Sequence, residues 1–125
     1  MTMVKNTKPT ESELEILQVL WDKKTATVRD VHEHLLKTKE AGYTTTLKLM
    51  QIMFEKGLVT RDSSNKTHTY EPAVSREKTQ KFFLAKMINS LFAGSSAELV
   101  IQALGNHKAS QKELDEIRNY LDSIK

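Results

Sequence analysis

Apolar residues recur at helical spacing in the first part of the chain. Leu14, Leu17 and Trp21 fall on one face of a predicted first helix. Thr10 and Glu13 have the spacing of a capping box, in which each side chain accepts a hydrogen bond from the other residue's backbone N–H. The helix is therefore predicted to begin after Thr10 and to end near residue 24.

A second, shorter helix is predicted from a similar start signal. Thr27 precedes a narrow apolar stripe that extends from Val28 to Leu36. Because the stripe then gives way to polar residues, we expect this helix to end at about Lys39, before Gly42.

A third helix is predicted after a turn of about four residues. It begins after Tyr43, within the threonine run at residues 44–46, and it ends at Lys56. A cation in the last turn followed by Gly57 is typical of a helix C-terminus, because glycine readily adopts the left-handed conformation.

The pattern then changes to short β-prone segments. Residues 58–61 and 67–71 favour strands, residues 62–66 favour a turn, and Pro72 is expected to stop the second strand. Three helices followed by a hairpin are typical of a winged helix-turn-helix domain. The predicted fold class is mainly α with a small β-hairpin wing (α+β), followed by a C-terminal helical region.

The C-terminal region, residues 75–125, is predicted to contain three further helices. The first covers roughly 17 residues and ends at Gly94, and the second is capped by Ser95 or Ser96 and ends at Gly105. A capping box begins the third helix at Ser110. Each helix carries large apolar side chains, although the region is too small to bury them alone.

Two interpretations of these apolar stripes remain: they fold back on the N-terminal region, or they associate with a second copy of the chain. We favour the second, which gives a winged-helix DNA-binding domain at residues 1–74 and a helical dimerisation domain at residues 75–125. The predicted dimer interface consists of Phe83, Leu84, Met87, Ile88, Leu91, Phe92, Leu99, Val100, Leu104, Leu114, Ile117 and Leu121.

Composition narrows the function classes. The 125 residues are 38% apolar and 28% charged, which suits a folded, well-solvated chain. The absence of cysteine excludes disulfide scaffolds, thiolate metal sites and cysteine nucleophiles. The net charge of +3 says little by itself, but residues 44–70 contain four basic and two acidic side chains, a local excess of +2.

The third helix and the wing are the candidate DNA-binding elements. A helix that follows a tight turn can enter the major groove, about 12 Å wide, while the wing lies along the backbone. Lys48 and Gln51 can reach base edges, and Arg61 and Lys66 can clamp phosphates beside the wing turn. The complete set of predicted DNA-binding residues is Thr27, Thr44, Thr45, Thr46, Lys48, Gln51, Lys56, Arg61 and Lys66.

The alternative function is a winged-helix module that binds proteins rather than DNA. The threonines would then serve only as helix caps, and Leu47 and Ile52 would form an apolar partner site. A dimer favours DNA binding, because it would place two recognition helices about one DNA turn apart, as a palindromic operator requires.

Other classes of function receive no support from the sequence. No set of side chains forms a nucleophile–base arrangement or a glycine-rich phosphate loop, so an enzyme and a cofactor are not expected. His32 and His34 are two residues apart on a helix and face different directions, so no metal site is expected. Residues 1–8 lack a secretory signal and no segment is long and apolar enough for a membrane span, so we expect a cytoplasmic protein without a membrane partner.

Six short segments stand out by their order and spacing. They are ELEILQVLW at 13–21, TVRDV at 27–31, YTT at 43–45, EKGLVTR at 55–61, PAVSRE at 72–77 and LFAGS at 91–95. In these segments the chain resembles the penicillinase repressors of the BlaI/MecI type, a family of bacterial winged-helix transcriptional regulators. The resemblance implies a homodimeric repressor, with Thr44, Thr45 and Lys48 on the DNA-reading part of the third helix and Arg61 and Lys66 on the wing.

The resemblance also implies partners and a signal. Double-stranded operator DNA of antibiotic-resistance genes of the β-lactamase type is the implied target, and an upstream sensor protein or protease is a further candidate partner. Members of the family commonly have basic residues where this chain has Leu47 and Ile52. The cleaved Asn–Phe bond of the best-known members corresponds here to Gln102 and Ala103, which puts induction by cleavage in doubt. The cysteine clusters of the copper-responsive relatives are absent.

Overall fold

The computed structural model describes residues 8–106 and 108–125, so residues 1–7, for which no secretory signal is predicted, lie outside the described part. The fold is mainly helical with one two-stranded antiparallel hairpin, which confirms the predicted fold class. The elements in chain order are α1 (Glu11–Lys23), α2 (Val28–Leu35), α3 (Tyr43–Lys56), β1 (Val59–Asp62), β2 (Thr69–Pro72), α4 (Arg76–Leu91), α5 (Ser96–Asn106) and α6 (Gln111–Ser123).

The chain forms two compact units. The N-terminal unit extends to Thr79 and the C-terminal unit begins at Gln80, so the division lies inside α4. The boundary predicted from the sequence, between residues 74 and 75, falls just before α4 begins. None of the helices in the described residues is long and apolar enough to cross a membrane.

The N-terminal unit has a continuous apolar core. The predicted capping box at Thr10 is present and begins α1. Thr27, the predicted start signal of the second helix, caps α2 and forms a capping box with Asp30. The left-handed Gly57 (φ +84°) ends α3, as predicted. The helices bring one apolar face each to the core, and the hairpin covers one side of it. The buried apolar side chains are Ile16, Leu17, Val19, Leu20, Ala26, Val28, Val31, Leu35, Met50, Met53, Leu58, Val59 and Tyr70.

The connection between α2 and α3 differs from the prediction. Helix α2 ends at Leu35 rather than near Lys39, and residues 36–42 separate it from α3. The chain tightens after Leu35, because the N–H of Lys37 donates to the carbonyl of His34 and the N–H of Thr38 donates to the carbonyl of Leu35, each at 3.1 Å. The predicted four-residue turn is therefore too short, and α3 begins one residue early, at Tyr43.

The hairpin has a third partner that the sequence does not reveal. Arg61 pairs with Tyr70 within the hairpin, and Tyr70 also forms a bridge with Ala26, just before α2. The Tyr70 N–H donates to the Ala26 carbonyl at 2.8 Å, and the Ala26 N–H donates to the Tyr70 carbonyl at 3.1 Å. Pro72, expected to stop the second strand, is its last residue and pairs with Val59. The base of the wing is thus fixed to the helical core.

The segment between the hairpin and α4 is attached to α1. The indole N–H of Trp21 donates to the carbonyl of Val74 at 2.9 Å. Arg76, the first residue of α4, lies over the Trp21 ring and forms an ion pair with Asp22 at 2.7 Å. These contacts hold the first turn of α4 on the N-terminal unit.

The C-terminal unit consists of most of α4 together with α5 and α6. Gly94 (φ +86°) ends α4 and donates to the carbonyl of Ile88 at 2.9 Å, and the hydroxyl of Ser95 caps α5 by accepting the N–H of Glu98. The predicted capping box at Ser110 begins α6. Helix α5 does not end at Gly105 as predicted but continues to Asn106. No described residue of this unit is buried.

Candidate nucleic-acid interface

Helix α3 presents one exposed polar face. Successive helix residues are rotated by about 100°, so the side opposite the buried Met50 and Met53 carries residues at positions 44, 48, 51 and 55. All four side chains are exposed: Thr44, Lys48, Gln51 and Glu55. Three of them are predicted DNA-binding residues. Glu55 was missed, although its spacing from Gln51 would have placed it on this face.

Thr46 requires a correction. It was predicted to bind DNA, but its side chain is only 1% exposed and faces the core. Its hydroxyl donates to the carbonyl of Gly42 at 3.4 Å, within the first turn of α3. Its neighbours Thr44 and Thr45 are exposed, so two of the three threonines remain available to a ligand.

Lys56 is engaged in an ion pair. Its Nζ donates to Oε1 of Glu13 at 2.6 Å, and Glu13 is 2% exposed. The same carboxylate oxygen accepts the backbone N–H of Thr10 in the first capping box. Because this charge balances a buried carboxylate, Lys56 stabilises the contact between α1 and α3 instead of offering a free cation.

The N-terminus of α2 lies beside the wing. The Thr27 hydroxyl accepts the N–H of Asp30, and the Thr27 N–H donates to Asp30, both at 3.1 Å. This backbone hydrogen bond lowers the pKa of the Asp30 carboxyl below its usual value, with smaller contributions from the Thr27 side chain and Lys23. A recess of about 290 Å³ brings Thr27 together with Lys66 of the wing, and Arg29 and His68 also line it. Sequence reasoning missed Arg29.

The wing carries Arg61 on its first strand. The guanidinium carbon of Arg61 lies 4.1 Å from the centroid of the Phe54 ring, near the end of α3. At the turn, Oδ1 of Asp62 accepts the N–H of Ser64 at 2.9 Å, and this bond lowers the pKa of the Asp62 carboxyl. Lys66 is exposed in the turn.

The basic side chains around this surface are free of carboxylates. Among residues 8–106 and 108–125, none of the five ion pairs includes Arg29, Lys48, Arg61 or Lys66. Their charges are therefore available to an anionic ligand such as a phosphate backbone.

The apolar partner site of the alternative function is not formed. Leu47 and Ile52 are five positions apart on α3, which separates them by about 140° around the helix. Leu47 packs against the core, and Ile52 is half-buried. They do not make one exposed patch.

The predicted dimer residues lie on three helices without a core of their own. Phe83, Ile88, Phe92, Leu99, Leu114 and Ile117 are half-buried, and Leu84, Met87, Leu91, Val100, Leu104 and Leu121 are exposed. Four further large side chains that the prediction omitted are at least half exposed: Phe82, Ile101, Tyr120 and Ile124.

Known structures identify the class of the N-terminal unit. The solution structure of the DNA-binding domain of the repressor BlaI superposes on this chain with a TM-score of 0.53 at 22% sequence identity. The match covers 59% of this chain and 90% of that domain. The fold of the unit is therefore a winged helix.

The family follows from the sequence comparison. The sequence pattern of the penicillinase repressor family matches residues 9–123, and the chain belongs to this family, as its resemblance implied. It is 26% identical to the penicillinase repressor of Staphylococcus aureus over 90% of both chains. It is also 26% identical to the methicillin resistance regulatory protein MecI of Staphylococcus aureus strain N315, over 89% of this chain and 90% of that protein.

Proposed function

We propose that the protein is a sequence-specific DNA-binding transcriptional repressor that acts as a homodimer on a palindromic operator. The observation that carries this proposal is the exposed face of α3, flanked by cations that form no ion pair within the described residues. Membership of a family of repressors supports the same conclusion and makes an enzyme an unsuitable description.

In this proposal the exposed face of α3 recognises the base sequence of the operator. Lys48 can donate to guanine and the Gln51 amide can pair with adenine in the major groove. Glu55 lies on the same face, where its carboxylate can accept from cytosine and repel a misplaced phosphate. Thr44 and Thr45 lie in the first turn of α3, where hydroxyls and free backbone N–H groups suit a phosphate.

The wing and the start of α2 supply phosphate contacts. Arg61 and Lys66 lie on the hairpin, and Arg29 and Thr27 line the same recess as Lys66. These groups position the domain along the backbone without reading bases. Repression is then steric, because two domains bound to adjacent major-groove segments exclude the polymerase.

The C-terminal unit supplies the dimer in this proposal. Its exposed apolar side chains have no core to enter within one chain, and a second copy offers a complementary set. One domain alone makes half of the phosphate contacts, so loss of the dimer weakens operator binding and induces transcription.

We also propose the class of regulated genes and the upstream partner from the relatives of this chain. The relatives named as penicillinase and methicillin-resistance regulators support antibiotic-resistance genes as targets. We propose in addition that the protein acts in the cytoplasm and that a sensor protein or protease lies upstream of it. Gln102 and Ala103, at the position of the family's cleavage site, are exposed on α5. Both residues differ from the Asn–Phe pair that the resemblance places at these positions.

The test is selection of bound fragments from the native genome, followed by affinity measurements on a recovered duplex. Lys48→Ala should weaken binding about five- to 150-fold and relax specificity, because a base contact contributes about 1–3 kcal/mol. Arg61→Ala should also weaken binding, and Lys66→Ala should lower the salt slope by about one. Lys112→Ala, on α6, is the matched control. Unchanged affinity and salt slope in the three variants would reject this surface.

A further inference from the structure

Phe54 occupies a position that neither the core nor the reading face explains. Its ring is 37% exposed, near the end of α3, although Met50 and Met53 beside it are fully buried. A single exposed apolar side chain is ordinary on a protein surface, so exposure alone assigns no role to this ring. The structure provides a partner, the guanidinium of Arg61.

The backbone of Arg61 is fixed from two directions. Arg61 pairs with Tyr70 across the hairpin, and Tyr70 is 2% exposed and bridged in turn to Ala26. The Cα of Arg61 therefore cannot move without disturbing the core. Only the long side chain is left with conformational freedom, and this freedom is what a ligand would have to remove on binding.

The Phe54 ring removes part of that freedom in advance. A guanidinium stacked on an aromatic face uses the flat surface of the group and leaves its N–H donors free in the plane. Arg61 takes part in none of the ion pairs of the described residues, so these donors face no competing carboxylate. A planar fork of donors is well matched to a phosphate.

We propose that Phe54 is a positioning residue, which holds Arg61 beside α3 with its donors ready for a DNA phosphate. The proposal rests on the proposed function and deepens it, since it assigns a role to a residue that touches no DNA itself. A stacked cation at an exposed site stabilises one arrangement by a factor of about two to five. We expect a loss of this size in DNA affinity when the ring is removed.

The experiment is a double-variant cycle. Phe54→Leu removes the ring and keeps an apolar side chain, Phe54→Tyr keeps the ring face, and Arg61→Ala removes the cation. Fluorescence anisotropy uses two duplexes of about 30 base pairs, enough for two half-sites. One is the genomic fragment recovered by selection and the other is its scrambled sequence, both at low salt, where non-specific binding is measurable.

The expected pattern is specific. Phe54→Leu weakens binding about two- to fivefold and by the same factor on both duplexes, because a phosphate contact is independent of sequence. Phe54→Tyr binds as the unchanged protein does. In the Arg61→Ala background, Phe54→Leu has no further effect. Thermal unfolding of each variant shows whether weaker binding comes from a less stable fold or from an Arg61 side chain that is no longer held in place.

A second measurement uses the free protein. The ring current of Phe54 should shift the NMR signals of the Arg61 side chain upfield, and the shift should persist in Phe54→Tyr and vanish in Phe54→Leu. A loss of DNA affinity in Phe54→Leu that is as large without Arg61 as with it overturns the proposal, as does an unshifted Arg61 signal.

If Lys48→Ala weakens binding while Arg61→Ala and Phe54→Leu do not, only this inference fails. If neither duplex binds the unchanged protein, the proposed function fails with it.

Discussion

The two units use apolar side chains in opposite ways. In the N-terminal unit the apolar face of each helix packs into a common core. All buried side chains of the described residues lie between Glu13 and Tyr70. In the C-terminal unit the stripes are as regular, but Leu91 is 72% exposed and Ile101 is 69% exposed. The same periodicity thus predicts helices in both units, and the units differ in whether their apolar side chains are buried within one chain.

The difference shows what each unit needs in order to be stable. Burying a Leu, Ile or Met side chain contributes about 1.5–3 kcal/mol, and the N-terminal unit gains this many times within one chain. One capping box, one serine cap and a glycine stop give the C-terminal helices local stability, but such features contribute only about 1 kcal/mol each. We expect the stability of the C-terminal unit to depend on a partner, and three predictions test that contrast.

The largest effect is expected for a charge in the proposed dimer surface. Leu91→Asp should raise the dissociation constant of the dimer at least about a hundredfold, because an apolar contact of the proposed surface is lost and a charge is desolvated. Sedimentation at micromolar concentration should give about twice the 14.3 kDa chain mass for the unchanged protein and the chain mass for the variant. Asn89→Asp adds the same charge on another face of α4 and should remain dimeric. A folded monomer at that concentration in the unchanged protein would end this interpretation.

A core truncation in the N-terminal unit should act differently. Met50 is fully buried, and Met50→Ala should cost about 2–5 kcal/mol of unfolding free energy. Because this core is complete within one chain, the cost should not change with protein concentration. Denaturant titrations at two concentrations measure both quantities. A concentration-dependent cost would mean that the N-terminal unit also takes part in association.

The smallest effect is expected at the helix caps. Thr27→Ala should lower the free energy of unfolding by about 1 kcal/mol at neutral pH, since it removes the hydroxyl that accepts the Asp30 N–H. The folded pKa of Asp30 lies below its usual value of 3.8, so its stabilising contribution is complete above that value and is lost as pH falls through the folded pKa.

The pH dependence can be separated from the cap itself. The free energy of unfolding should fall less steeply with decreasing pH in Asp30→Asn, because this variant lacks the carboxyl that becomes protonated. Denaturant titrations from pH 7 downward measure the difference. Ser110→Ala removes the corresponding cap in the C-terminal unit. It should lower the denaturant midpoint only of the unfolding transition that changes with protein concentration. Equal concentration dependence for both cap variants would contradict the contrast between the units.

The sequence predicts the elements well where their signals are local. The capping boxes at Thr10 and Ser110, the start signal at Thr27 and the glycine stop at Gly57 each depend on a few adjacent residues, and all are confirmed. The end of α2 is predicted poorly because Leu36 fits the helical stripe but is 49% exposed, so the core does not require a longer helix.

The candidate site is predicted less completely because its residues meet across the fold. Periodicity places Lys48 and Gln51 on one face, and the structure agrees. It does not reveal that Lys56 meets Glu13, 43 positions away, or that the single residue Ala26 pairs with Tyr70. An isolated pair leaves no repeat in the sequence, so no pattern of period 2 or 3.6 can indicate it.

The contact of Trp21 with Val74 has a spectroscopic consequence. Trp21 is the only tryptophan of the chain, so all indole emission comes from the place where α4 joins the N-terminal unit. Its N–H is bound to a carbonyl and its ring lies beneath Arg76. Release of this segment would expose the indole to water and shift its emission to longer wavelength. The protein therefore carries an intrinsic fluorophore that reports on this junction without any label.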